Sequence, residues 1–272
     1  SPSRGLGDVY KRQILYTALP ALDEQLGATA SQSLWIINAY PLVITGLLLG
    51  SGSLGDRIGH RRMFMVGLVI FGIASLAAAF SPTVLSLVIA RGFLGAGAAT
   101  MLPATLALIN QIFPEERERN LAMSIWVSAA VLGAALGPVV GGALLHFFWW
   151  GSVFLINVPV VVLALVCTLL IGPRNKPNPD KHWDLISSVF ALFALSGLTL
   201  TIEEAARLDT HMPVLIGAAV VMVFGAVMFG HRQQKLDDPL LTFDIFKNPV
   251  FTGGAVSACL LYTSPSPRDG LL

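Results

Sequence analysis

Apolar runs of about twenty residues alternate along this chain with short polar connections, and the connections hold most of its charge. A run of that length crosses the hydrocarbon core of a bilayer as a helix, because a rise of ~1.5 Å per residue then covers about 30 Å. Residues 14–22 read as the end of one such helix, closing on Leu19-Pro20, and Asp23, Glu24 and Gln25 open a polar loop. Residues 34–54 form the next helix, with Trp35 near its start, where the membrane interface favours an aromatic ring. Further helices follow over 63–80, 84–112, 121–145 and 152–172. Ser81-Pro82 separates the first two of these, and residues 114–120 form a charged loop before the third. Residues 146–150 read as an aromatic belt, with Trp149 and Trp150 as interface anchors and His146 beside them. A polar linker over 173–183 leads to two more helices, 184–203 and 213–230. Residues 231–248 read as an amphipathic or extended connection carrying Phe243, Ile245 and Phe246, and residues 249–258 begin another helix.

The densest polar cluster is Gly52-Ser53-Leu54-Gly55-Asp56-Arg57-Ile58-Gly59-His60-Arg61-Arg62. Three arginines and an aspartate so close together do not belong in hydrocarbon, so the cluster predicts a water-facing turn between two spans. Gly52, Gly55 and Gly59 permit a tight turn and close helix approach. Asp56 can cap the helix that follows or pair with an arginine of the turn; as a solvated pair it contributes under about 1 kcal/mol. The helix count also sorts the basic residues. Arg57, Arg61, Arg62, Arg117, Arg119, Arg174, Lys176, Lys181, Arg232, Lys235 and Lys247 fall on one side, and Arg207 alone on the other. The positive-inside rule predicts that the first group faces the cytoplasm.

Composition agrees with this picture. Charged residues make up 12% of the chain and hydrophobic ones 54%, with a mean hydropathy of +0.72. The expectation is an all-α, polytopic transmembrane helix bundle in a lipid bilayer. A formal net charge of +1 says nothing useful about partners, and no nucleic-acid partner is expected. Cys167 and Cys259 have neither metal-ligand nor redox spacing, no Walker A sequence is present, and no nucleophile or metal constellation lies in the spans. No cofactor, metal or enzymatic activity is therefore expected.

The two ends read as foreign to the rest. Asp8 to Gln13 can be written GAT GTG TAT AAG AGA CAG, and the reverse complement, read one base later, encodes Cys-Leu-Leu-Tyr-Thr-Ser, the order of Cys259 to Ser264. Residues 1–13 and 259–272 are accordingly expected to be adaptor-derived tails on a fragment, and they are set aside from fold reasoning.

Three stretches within the spans are candidates for chemistry. Arg91, in Ala90-Arg91-Gly92-Phe93-Leu94-Gly95, places a permanent charge inside a span, where it must face the bundle interior or snorkel to the interface. Asn38, in Trp35-Ile36-Ile37-Asn38-Ala39-Tyr40, is a polar residue in a span, suited to an interhelical hydrogen bond or a substrate path. Gly133, Gly137, Pro138, Gly141 and Gly142 put small residues four apart on one helix, which permits close packing, and Pro138 invites a bend. Glu203 and Glu204, near the outer end of their helix, could attract cations or read more simply as exposed loop acids.

These strings together resemble the major facilitator superfamily over residues 14–258. The Gly52–Arg62 stretch looks like the signature between that family's second and third helices, and the Arg91 string resembles its fourth-helix motif. The Gly133–Gly142 string is similar to the antiporter motif of its fifth helix. Trp149-Trp150-Gly151-Ser152-Val153-Phe154-Leu155-Ile156-Asn157-Val158-Pro159 resembles the sixth helix of the fourteen-helix drug:proton antiporter branch, of the multidrug and quaternary-ammonium exporter type. The resemblance implies a six-helix N-terminal bundle over 14–172, a cytoplasmic linker over 173–183 and two extra transmembrane helices over 184–230. A connection and the start of the next helix would follow over 231–258. It implies a monomer in a bacterial inner membrane that exports hydrophobic or cationic drug-like compounds in exchange for protons, by alternating access. It gives Arg91 and Asn38 to coupling and transport, and Asp56 to a cytoplasmic charge network that stabilises the outward-facing state. Related exporters carry an acid near Asn38 and another on the first helix, which would precede Ile14 here. Two alternatives share the fold: export of one specific metabolite, and a receptor or scaffold that does not transport.

Overall fold

The computed structural model describes residues 27–179, 184–205 and 212–236. The expected helix end at 14–22, both tails, Phe243, Ile245, Phe246 and the helix expected at 249–258 lie outside the described residues. The helices in order are α1 (Ala30–Ile58), α2 (His60–Ala79), α3 (Val84–Ile112), α4 (Glu116–Phe147), α5 (Ser152–Leu155), α6 (Asn157–Ile171), α7 (Leu185–Ala205) and α8 (Met212–Gln233). Among the described residues, α2, α3, α4, α8 and the stretch Ser152–Ile171 are long and apolar enough to cross a membrane, and bent α1 makes a sixth. The apolar stretch of α7, Ile186–Ile202, is shorter.

Local chemistry sets the helix starts. Thr29 and Gln32 form a reciprocal capping box at α1, and Thr83 and Ser86 form another at α3. Glu116 and Glu118 lie in the first turn of α4, where the positive end of the helix dipole favours acids. The charged stretch expected as a loop at 114–120 is for that reason mostly helix. Pro159 explains a second departure from expectation. It cannot donate to the Leu155 carbonyl, and the sixth span divides there into α5 and α6. Bending in α1 comes from its own side chains. Thr45 donates to Pro41 O at 2.7 Å, Ser51 to Leu47 O at 2.6 Å and Ser53 to Gly50 O at 3.0 Å. The two halves of α1, Gln32–Leu48 and Gly50–Ile58, meet at 57°, at the head of the Gly50-Ser51-Gly52-Ser53 run.

In hydrocarbon, apolar burial does not favour helix association, so packing rests on small residues and interhelical hydrogen bonds. The core is built that way. Ala74, Ala78, Ala79 and Ala90 pack with Ile36, Leu87, Leu94, Trp150 and Phe154. Trp150 corrects an expectation: it is 8% exposed and packs edge-on against Phe154 inside the core, so it is no lipid-facing anchor. Trp149 stays exposed beside Phe80. Between α2 and α6, Asn157 Nδ2 donates to Ser75 Oγ at 3.4 Å.

The two extra helices form their own pair, and α7 lies on α1. At Gly50 a Cβ would collide with Ser188, and at Gly46 with Leu192, so these contacts are nearly backbone to side chain. Asp184 anchors the pair. Its carboxylate accepts from Ser187 N at 3.1 Å, from the Ser187 hydroxyl and from Arg232 Nε at 3.1 Å. It is at once the N-cap of α7 and the tie to the last turn of α8. At the other end of α7, Glu204 is 5% exposed and helical, against the expectation of an exposed acid.

Burial alone would raise the Asp184 pKa, but hydrogen bonds from Ser187 and the Arg232 guanidinium outweigh it and hold the carboxyl below its ordinary value. A carboxylate with a depressed folded pKa stabilises the fold above its unfolded value, and this is lost as pH falls through the folded one. The Asp184 contribution should therefore be complete at neutral pH and fade below about pH 4. Thermal unfolding of the detergent-solubilised chain at pH 7 should show Asp184→Asn less stable by about 1–2 kcal/mol, Arg232 being partly exposed. The gap should narrow in acid.

Candidate functional site

Arg91 lies in the second turn of α3 and faces α1. The two helices approach closely one turn further on, where a Cβ on Gly95 would lie 2.6 Å from Tyr40 O. Arg91 and Gly95 share a helix face by their spacing of four, and so do Ile36 and Tyr40. The absent side chain at Gly95 brings the α1 backbone within reach of the guanidinium. Arg91 Nε donates to Ile36 O at 3.0 Å and Nη2 to Ile37 O at 3.4 Å, and the guanidinium carbon sits 4.9 Å from the centre of the Tyr40 ring.

The Ile37 carbonyl is available for a chemical reason. Its helical partner would be the N–H of the residue four further on, and that residue is Pro41, which has none. The proline orphans a carbonyl in hydrocarbon, and Arg91 reaches it. Sequence reasoning missed Pro41, although its spacing from Ile37 and the coincident arginine were both readable. Among the described residues the partners of Arg91 are carbonyls and a ring, not a carboxylate. Asn38 is half-buried in the same turn of α1, beside the two carbonyls that hold Arg91.

The charged turn is tighter than expected. Gly52, Gly55, Asp56 and Arg57 are still helical, and a single residue, Gly59, separates α1 from α2. Its φ of 92° is open to glycine and strained for other residues. Asp56 pairs with His60 Nε2 at 3.1 Å, while the helix start has no side-chain cap. Capping and an arginine partner, the two expectations for Asp56, both give way to this pair. It spans the break at a spacing of four, and its aspartate is about half exposed. Gly55 is buried against His60, whose Nδ1 would lie 2.7 Å from a Cβ there. Arg61 turns the other way and caps the end of α6: Nε and Nη2 donate to Thr168 O at 3.3 and 3.1 Å, and Nη2 to Leu169 O at 3.0 Å. The Arg62 backbone donates to Asn175 Oδ1 at 3.2 Å, and both Arg57 and Arg62 have exposed side chains.

The five small-residue positions of α4 divide. Gly137 and Gly141 are buried, whereas Gly133 and Gly142 have open space where a Cβ would be. Pro138 sits between the buried pair in a helix that runs on unbroken from Glu116 to Phe147. Much of the rest of α4 is exposed, including Leu121, Ile125, Val131, Leu132, Leu136 and Val139. Among the described residues, no group of three or more His, Cys, Asp or Glu is gathered for a metal ion.

Gly52 and Gly59 of the charged stretch should respond oppositely to alanine. Gly59→Ala should lower stability by about 1–3 kcal/mol, because the backbone conformation disfavours any Cβ. Gly52→Ala, helical and with open space beyond its Cα, should be neutral or stabilising by up to about 1 kcal/mol. Denaturation midpoints of the two variants in the same detergent check the contrast.

Comparison with known proteins places this geometry in a family. A profile of the Major Facilitator Superfamily matches residues 8–264. The chain is 39% identical over 248 residues to the methyl viologen resistance protein SmvA of Salmonella typhimurium, covering 90% of this chain and 50% of that protein. It is 38% identical over 245 residues to the multidrug efflux pump LfrA of Mycolicibacterium smegmatis, covering 90% and 48%. It is 36% identical over 266 residues to the cephamycin export protein CmcT of Amycolatopsis lactamdurans, covering 95% and 54%. The chain thus spans about half the length of the curated relatives it matches. Matched over most of its length, and carrying helices apolar enough to span a membrane, the chain belongs to the Major Facilitator Superfamily.

Proposed function

We propose that this chain forms the N-terminal half, with two added helices, of a proton-coupled exporter of hydrophobic or cationic drug-like compounds. The observation that carries the reading is Arg91, a permanent charge inside an apolar helix held by two α1 carbonyls and a tyrosine ring. A charge in hydrocarbon is destabilising by several kcal/mol unless it is satisfied, so its retention needs a use. The relatives named for methyl viologen resistance and multidrug efflux support cationic and drug-like cargo.

In this reading the exporter works by alternating access, its halves rocking about a midplane cavity. Arg91 does not exchange its own proton at working pH; it acts on the proton affinity of a neighbouring group by its charge. Asn38, in the turn that bonds Arg91, offers a neutral polar group toward cargo. The charged turn at Gly52–Arg62 gates the side on which the basic residues gather, which the positive-inside rule makes the cytoplasm of a bacterial inner membrane. Gly137 and Gly141 supply close packing for a helix that the rest of the transporter covers. The protein works as a monomer in the bilayer, and its partners are the cargo and protons. A second reading, export of one specific metabolite, is supported by the relative named for cephamycin export.

The test is dye accumulation in a bacterial host stripped of its own exporters and expressing the complete gene that contains this chain. The complete gene should lower accumulation of a cationic dye. Arg91→Ala should abolish the effect at unchanged protein level, and Arg91→Lys should lower it sharply, because a compact ammonium lacks the planar fork that spans both carbonyls beside the ring. Pro41→Ala should fall between the parent and Arg91→Ala, since it gives the Ile37 carbonyl an amide partner and loosens one of the two carbonyl anchors. Full efflux by Arg91→Ala would sink the reading. Efflux of a single metabolite with no dye would move the second reading ahead.

A further inference from the structure

The break at Gly59 is splinted from outside the two helices it joins. Asn175, in the extended segment after α6, reaches back across it. Asn175 Nδ2 donates to Ile58 O at 2.8 Å, and Oδ1 accepts the Arg62 N–H at 3.2 Å. These are groups that a helix break orphans: a carbonyl at the end of α1 and an amide in the first turn of α2. A carboxamide carries one acceptor and two donor hydrogens, so a single asparagine satisfies both ends. The fit depends on Gly59. A Cβ there would collide with both Asn175 Oδ1 and Nδ2. Gly59 is thus fixed twice, by its own φ and by the amide packed on its Cα.

Further bonds run between the same two segments. Arg61 caps the Thr168 and Leu169 carbonyls at the end of α6, and the Asn178 N–H donates to Asp56 O at 3.0 Å. Residues 168–178 are therefore held to residues 56–62 from both flanks, with Asn175 between. Asn175 is part-buried at this contact, while its neighbours Arg174 and Lys176 are exposed. The geometry points to Asn175 as a positioning residue: its carboxamide splints the Gly59 break and fastens the segment after α6 onto the charged turn, so that the turn and residues 168–178 move as one body. The splint stands on the geometry alone, whereas its effect on transport rests on the exporter reading.

The splint is tested on the full 272-residue chain in detergent micelles, by peptide-resolved hydrogen exchange at residues 58–62. Asn175→Ala should raise exchange at the Arg62 amide about tenfold, the value of one ordinary hydrogen bond. Asn175→Asp keeps the acceptor for that amide and loses the donor to Ile58, so it should leave Arg62 protected. It also keeps the experiment decisive should the alanine variant fail to fold. Lys176→Ala, at an exposed neighbour, should exchange like the parent. A second readout is coupling: Gly59→Ala should be less damaging when Asn175 is already alanine, because the collision is gone and the strain of φ remains. Parental exchange at Arg62 in Asn175→Ala, or strict additivity of the two substitutions, overturns the splint. In the complete transporter, Asn175→Ala should lower the maximal efflux rate with KM unchanged. An unchanged rate, with the exchange effect present, overturns the link to transport. A parent gene that exports nothing contradicts the exporter reading instead and leaves the exchange result standing.

Discussion

A guanidinium in hydrocarbon must be satisfied by its neighbours, and the packing of α1 on α3 is organised to do it. Pro41 frees the Ile37 carbonyl by lacking an N–H, Gly95 brings the two backbones together, and Tyr40 lays its ring beside the charge. Each feature alone is a defect: a broken helical bond, a missing side chain, a buried charge. Together they compensate one another, which makes the contact specific in a medium where apolar surface does not discriminate between partners. The buried core extends outward from this contact. Ile36 and Leu94 belong to the same buried cluster as Ala78 and Phe154, so α2 and α5 pack against the helix pair that Arg91 holds.

The helices themselves were legible in the sequence because hydrocarbon demands long apolar runs, and the range 84–112 was matched at both ends. Boundaries near charge were not. Residues 55–58 and 116–120 read as turn or loop by polarity, yet the first continue α1 and the second begin α4. A helix end carries dipole charge that welcomes Arg57 in the last turn of α1 and Glu116 in the first turn of α4. Trp150 was misjudged because an aromatic residue near a span end suits the interface and the core equally by composition; only packing against Phe154 decides.

The site divides along the same line. Arg91 announces itself as a charge in an apolar run, but its partners are backbone carbonyls, which carry no mark of their own in a sequence. The exception is Ile37, marked by the proline four residues on. Asn175 left no signal at all: a lone asparagine in a polar linker is ordinary, and its role depends on tertiary contact with Ile58 and Arg62. The small-residue run of α4 was readable as a pattern, but the division of buried Gly137 and Gly141 from open Gly133 and Gly142 was not.

In the exporter we propose, a proton moves one way as cargo moves the other. The most direct measurement reconstitutes the complete transporter in proteoliposomes holding a pH-sensitive dye, then adds a quaternary-ammonium compound outside with no ion gradient imposed. Antiport predicts that cargo entering the vesicle drives protons out, so that the lumen becomes alkaline, and that Arg91→Ala abolishes the signal. Cargo accumulating while the lumenal pH stays flat would contradict the account.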